Sequence, residues 1–177
     1  MSKRLYPAET SQRAYDLGFE YEQVYKGCGQ CAMAAVIDTL GLTNAEEIFR
    51  AATAFAAGVG MMGDGSCGGY LGGVLMMGLL KGREKDDFQD EAGVRFQAYD
   101  LAKEYHDRFI NKYGSVTCRD IHMNIYGRSF FLRDRDDFIK FEEAGGHADK
   151  CPSVVGDAAK WAVELIIREG LINTERD

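Results

Sequence analysis

The sequence predicts an all-α protein, a compact single-domain helical bundle over residues 1–177, and three observations carry that prediction. Only 2 residues are proline, which leaves long helices unbroken, while 21 glycines supply turns, helix ends and close backbone approaches. Apolar side chains recur at helical spacing, as in Val94, Ala98, Leu101, Tyr105 and Phe109. No convincing stretch of the sequence alternates with the period of two that marks a strand.

The elements follow in chain order. Residues 9–23 set Ala14, Leu17, Phe19 and Tyr21 among charges and read as a first helix. Gln30 to Leu40 is apolar nearly all round and stops at Gly41, the signature of a buried helix with a glycine end. Thr43 stands three residues before Glu46, a capping-box spacing that opens an alanine-rich helix running to Ala57. Between Ala51 and Leu80 the only charge is Asp64, yet Gly58, Gly60, Gly63 and Gly65 divide the run into halves too short to span a bilayer. Two core helices meeting at a glycine-rich corner are therefore expected, the second from Ser66 to Lys81. That span carries more apolar surface than one small helical layer hides, which points to a homodimer. Phe88 to Tyr113 reads as an amphipathic helix closed by Gly114, and Cys118 to Tyr126 as a shorter one. A charged stretch from Arg133 to Glu143 has room for a turn or two. Pro152 to Glu169 is a last helix, with proline in its first turn, Trp161 and Leu165 on one face and Gly170 as its stop.

Composition narrows the function. With 46% apolar and 28% charged residues the chain is an ordinary folding sequence, and a net charge of −7 without a basic cluster argues against a nucleic-acid partner. The opening MSKRLYPAET lacks the apolar core of a secretory signal, so a cytoplasmic location is expected, with no membrane span.

In a reducing compartment five cysteines, an odd number, speak for metal or redox chemistry over a disulfide framework. Cys28, Cys31, Cys67, Cys118 and Cys151 each fall at or just before the start of an expected helix. Helix N-termini carry unpaired N–H groups and partial positive charge, which lower a thiol's pKa and suit metal ligands or redox nucleophiles. Histidines offer a competing arrangement: Cys118 and His122 are four residues apart, as are His147 and Cys151, and with Cys28 and Cys31 they could compose a tetrahedral zinc site. His106 has no such neighbour. Covalent haem is disfavoured because Ala32 follows Cys31 where attachment needs histidine. Gly58-x-Gly60-x-x-Gly63 matches the dinucleotide pattern literally, but a helix precedes it where a strand is required; its better use is close backbone approach to a cofactor beside Cys67. The pairs Met61-Met62 and Met76-Met77 read as core filler.

Four segments in order, Gly27-Cys28-Gly29-Gln30-Cys31-Ala32, Gly63-Asp64-Gly65-Ser66-Cys67-Gly68, Thr117-Cys118-Arg119-Asp120 and Cys151-Pro152, make the sequence from about residue 25 to 165 resemble the C_GCAxxG_C_C family of redox proteins. The resemblance, shared with the non-haem domain of split-Soret cytochromes, implies a small helical protein whose four recurrent cysteines bind an iron–sulfur cluster. Carried over by position, these are Cys31, Cys67, Cys118 and Cys151. Cys28 departs from the pattern: it could replace Cys31, partner it in a Cys-x-x-Cys pair, or do nothing. Arg119, beside Cys118, could offset cluster charge or form an exposed salt bridge. Four thiolates complete either a [2Fe–2S] or a [4Fe–4S] centre, and [2Fe–2S] is the working expectation. The leading expectation is an iron–sulfur electron-transfer protein serving a larger redox enzyme or complex, a carrier more than a stand-alone enzyme. Its rivals are a thiol–disulfide oxidoreductase using Cys28 and Cys31, with Cys67 or Cys118 as resolving thiol, and a zinc-stabilised structural module.

Overall fold

The computed structural model describes residues 7–171, and among them the chain forms eight α-helices and no β-strand. They are α1 (Pro7–Val24), α2 (Cys28–Leu40), α3 (Glu46–Ala51), α4 (Gly68–Lys81), α5 (Val94–Tyr113), α6 (Cys118–Tyr126), α7 (Arg135–Glu143) and α8 (Cys151–Arg168). No described helix is long and apolar enough to cross a membrane.

Helix α8 is the centre of the main core. Val154, Val155, Ala158, Ala159, Ala162, Val163, Leu165 and Ile166 are all buried, on a helix that α1, α2, α4 and α5 surround. Small residues set the spacing of these layers. A Cβ on Gly18 of α1 would lie 2.9 Å from the Val155 carbonyl, and one on Gly156 of α8 would lie 2.9 Å from the Tyr15 carbonyl. On α4, a Cβ on Gly72 would come within 2.5 Å of the Gly29 carbonyl of α2. Backbones this close leave no room for larger side chains, and that is one use of the glycines. Fully buried Tyr105 of α5 fills the space over Gly73 and donates its hydroxyl to the Ala158 carbonyl at 3.0 Å, so the ring packs without stranding its polar end.

A second, smaller core forms beyond the first. Phe130, Leu132 and Phe141 are buried there, with Tyr126, Phe138, Met61 and Cys151 packed against them. The segment from α6 to α7 thus makes a satellite cluster facing the main bundle.

Several boundaries differ from the sequence reading, each for a local reason. The Thr43–Glu46 capping box does not form: Ala45 is the cap residue of α3, without a side-chain bond, and Asn44 is left-handed at φ 61°. The alanine-rich helix ends at Ala51 and tightens into a 3₁₀ turn over Ala52–Phe55. Helix α5 starts at Val94, not near Phe88. Buried Asp90 accepts bonds from the Val94 and Arg95 amides at 2.6 and 3.1 Å, satisfying the orphan donors of the first turn. Of the 51–80 span, Met76 and Met77 are buried within the chain, leaving Val59, Met62 and Leu79 as its exposed large side chains.

Candidate metal centre

Four of the five cysteines stand at the N-terminal ends of four different helices, Cys151 directly after a π-helical turn over Gly146–Lys150. Cys28, Cys118 and Cys151 are the first residues of α2, α6 and α8, and Cys67 is the cap residue of α4. All four line one cavity of about 230 Å³ between the main core and the satellite cluster, together with Ala57, Met61, Ile121, His122, Phe141 and Val155. An engineered apolar cavity of about 150 Å³ takes up benzene, so this one has room for a compact inorganic group.

Backbone pairing brings two of the thiols side by side. Ser66 and Thr117 form an isolated antiparallel bridge; the Cys67 amide donates to the Val116 carbonyl at 2.7 Å and the Cys118 amide to the Gly65 carbonyl at 3.0 Å. The same strap takes the Arg119 amide, which donates to the Gly63 carbonyl at 2.8 Å. The first N–H groups of α6 are therefore satisfied by this loop and do not point at sulfur, contrary to the simple helix-terminus expectation. The loop before the strap is unusual. Ala57, Gly58, Val59, Gly60 and Met61 are five consecutive residues at φ between 47° and 68°, one turn of left-handed backbone that includes a β-branched valine. It lies against the cysteines: a Cβ on Gly58 would be 2.8 Å from the Cys118 Cβ, and the Ala57 amide donates to Cys28 Sγ at 3.4 Å. The glycine pattern thus serves close approach, with Cys118 and Cys28 as its neighbours.

Cys31 lies elsewhere. One turn into α2, its buried thiol donates back to the Lys26 carbonyl at 3.1 Å, on the side of the helix that faces a different pocket. The structure therefore groups Cys28, not Cys31, with Cys67, Cys118 and Cys151. The other three thiols likewise stand at the edge of a first turn, and Gly27, at φ 88°, makes Cys28 the first residue of α2. A helix begun at Gln30 sets Cys28 just before it, whereas the structure makes Cys28 its first residue. Arg119 is 61% exposed and pairs with Asp120 at 3.8 Å outside the cavity, so it takes the salt-bridge role, while Lys26 stands in the cavity wall.

His122 enters the sequence reading as a neighbour of Cys118 and as part of the zinc arrangement. In the structure its Nε2 lies 3.8 Å from Cys118 Sγ and 3.9 Å from Cys151 Sγ, bridging thiols from two elements. His147, paired with Cys151 in the zinc arrangement, instead turns Nδ1 to Glu142 at 2.6 Å and Nε2 toward Glu22 at 3.9 Å.

Their surroundings set the protonation of Cys28, Cys118 and Cys151. Bonding to Cys67 and burial push the Cys28 thiol well above its ordinary range, burial does the same to Cys151, and burial with the nearby Cys28 lifts Cys118 to about 12. The acidifying effect of a helix start is outweighed by desolvation. Such thiols are poor free nucleophiles; they ionise when a metal displaces their protons. The donor set fits a thiophilic metal group in type and enclosure. Among the described residues no three His, Cys, Asp or Glu side chains already form a group that could hold a metal ion, so uptake has to draw the sulfurs inward.

Burial raises the Glu22 carboxyl to about 7 and lowers His122 to about 4. The raised acid stabilises the fold below pH 4.5 and loses that contribution as pH climbs to 7; the depressed base stabilises above pH 6.5 and loses its contribution as pH falls to 4. Their slopes, each at most about 1.4 kcal/mol per pH unit, oppose one another between pH 5 and 6.5. Metal-free protein should therefore melt at nearly constant temperature across that window. Glu22→Gln should make the melting temperature rise with pH and His122→Phe should make it fall, as followed by circular dichroism. Parallel profiles for all three would contradict these assignments.

Fold and site together describe a small helical protein built around a thiol-lined cavity. The chain belongs to the C_GCAxxG_C_C family, described as "Putative redox-active protein", whose model matches residues 27–165. No curated protein and no solved structure matches the chain.

Proposed function

We propose that this protein is an electron carrier that binds one iron–sulfur cluster through Cys28, Cys67, Cys118 and Cys151 and serves a larger redox enzyme. The observation that carries the reading is the convergence of four buried or half-buried thiols, from four helices far apart in sequence, on a single cavity. When bound, the cluster supplies one-electron chemistry. The chain's own residues supply the rest. The four thiols give up their protons and act as ligands, Val155, Ile121 and Phe141 keep water from the centre, and the left-handed turn closes over it with the Ala57 amide directed at the Cys28 sulfur. The thiol–disulfide alternative loses ground because Cys28 and Cys31 point to different surroundings and burial suppresses their thiolates. Of the two cores that four thiolates complete, the proposal takes the smaller, [2Fe–2S].

Protein purified without oxygen should be brown, with visible charge-transfer absorption that bleaches on reduction and with iron and acid-labile sulfide in equal amounts, two of each per chain. A colourless protein holding stoichiometric zinc, even after reconstitution with iron and sulfide, would overturn the proposal.

A further inference from the structure

His122 is the one imidazole placed between cluster-ligand sulfurs, and its ring cannot turn freely. Phe141 stacks on it at 5.5 Å with the planes 22° apart, and Tyr126 and Phe130 stand edge-on at 5.2 and 6.0 Å. The residue is 3% exposed, and its Nδ1 is buried without a hydrogen-bond partner. A buried N–H left without an acceptor forfeits about 1–3 kcal/mol, so the proton of the neutral ring belongs on Nε2, leaving Nδ1 bare. Nε2 is the atom that lies 3.8 and 3.9 Å from Cys118 Sγ and Cys151 Sγ. Among the described residues no charged side chain is hydrogen-bonded to the ring, whose polar contacts are the two thiols and whose ring contacts are three aromatics.

We infer that His122 is a positioning residue that donates its Nε2–H between the Cys118 and Cys151 sulfurs and thereby raises the reduction potential of the proposed cluster. The inference rests on the iron–sulfur reading above. Reduction adds negative charge that spreads onto the ligand sulfurs, and a fixed donor stabilises the reduced form more than the oxidised one. The same donor holds the starts of α6 and α8 in register, since its two acceptors belong to different helices. Direct ligation by His122 is the rival outcome of the test.

The test uses the full chain, isolated with its cluster. His122→Phe keeps an aromatic ring among Phe141, Tyr126 and Phe130 but has no donor; its midpoint potential should fall enough to change the oxidised-to-reduced ratio at fixed potential at least tenfold, which is 59 mV for one electron. His122→Gln, with an amide N–H of similar reach, should recover part of the shift. Because a variant can fail to load, pulsed electron paramagnetic resonance on reduced protein labelled with ¹⁵N-histidine gives an independent reading. Weak coupling to a histidine nitrogen, retained in His147→Gln, supports the donor. Strong coupling of the kind a directly bound nitrogen shows, or none at all, overturns it. A loaded His122→Phe with unchanged potential also overturns it while leaving the cluster proposal intact, whereas a colourless wild-type protein removes both.

Discussion

Cys28→Ser should abolish cluster binding, while Cys31→Ser should leave iron content and the paramagnetic resonance signal close to wild type. The motif alone points the other way, because Cys31-Ala32 is the pair that resembles the family's first cysteine. Geometry favours Cys28. Its sulfur lines the cavity and accepts the Ala57 amide, whereas the Cys31 thiol donates to the Lys26 carbonyl on the other side of the helix. Serine offers a harder and much weaker donor for iron, so Cys67→Ser, Cys118→Ser and Cys151→Ser should behave like Cys28→Ser. Iron and sulfide analysis with electron paramagnetic resonance on the five single variants checks this. A signal lost in Cys31→Ser and intact in Cys28→Ser would return the assignment to the one the motif suggests.

A large loss of stability should come from Gly156→Val, where no cysteine is involved. A Cβ there meets the Tyr15 carbonyl and its ring, both at 2.9 Å, in the contact between α1 and the central helix α8. A backbone oxygen cannot rotate aside, so the two helices must part, and overpacking of this kind removes roughly 3 kcal/mol or more from a domain whose whole stability is about 5–15 kcal/mol. Gly78 makes the control. It lies in α4 at an exposed position where an added Cβ meets nothing within 4 Å, and Gly78→Ala should stabilise by about 0.5–1 kcal/mol through the loss of backbone freedom in the unfolded chain. Urea denaturation of the two variants should move the midpoint in opposite directions, and a neutral Gly156→Val would show that the α1–α8 contact yields more easily than its geometry implies.

Much of this architecture can be read along the chain because it is local. The 3–4 spacing of α5, Gly41 and Gly114 as helix ends, and Pro152 in the first turn of α8 all report on residues within a turn or two of each other. The site is legible only in part, since its ingredients are local but their meeting is not. Cysteines at helix starts could be recognised, yet choosing between Cys28 and Cys31 requires knowing which side of α2 faces α8 and the 57–61 turn. That turn itself runs against propensity: Ala57, Val59 and Met61 favour right-handed helix or strand, and tertiary packing against Cys118 and Cys28 overrides them. His122 gains its second thiol, Cys151, from 29 residues away, beyond the reach of any pattern within one helix.

The cavity sits between two cores that are otherwise joined through a few chain segments, and its four cysteines are separated by 39, 51 and 33 residues. A group bound to all four would close three successive loops of the chain, restricting the unfolded state as a set of cross-links does, by roughly 4 kcal/mol for each loop of such length on the chain-entropy model. Losing the group would then return that freedom to the chain and free the satellite helices first. Cofactor status would in this way become a matter of lifetime: emptied chains open more often, proteases meet them more often, and abundance follows occupancy without any dedicated sensor.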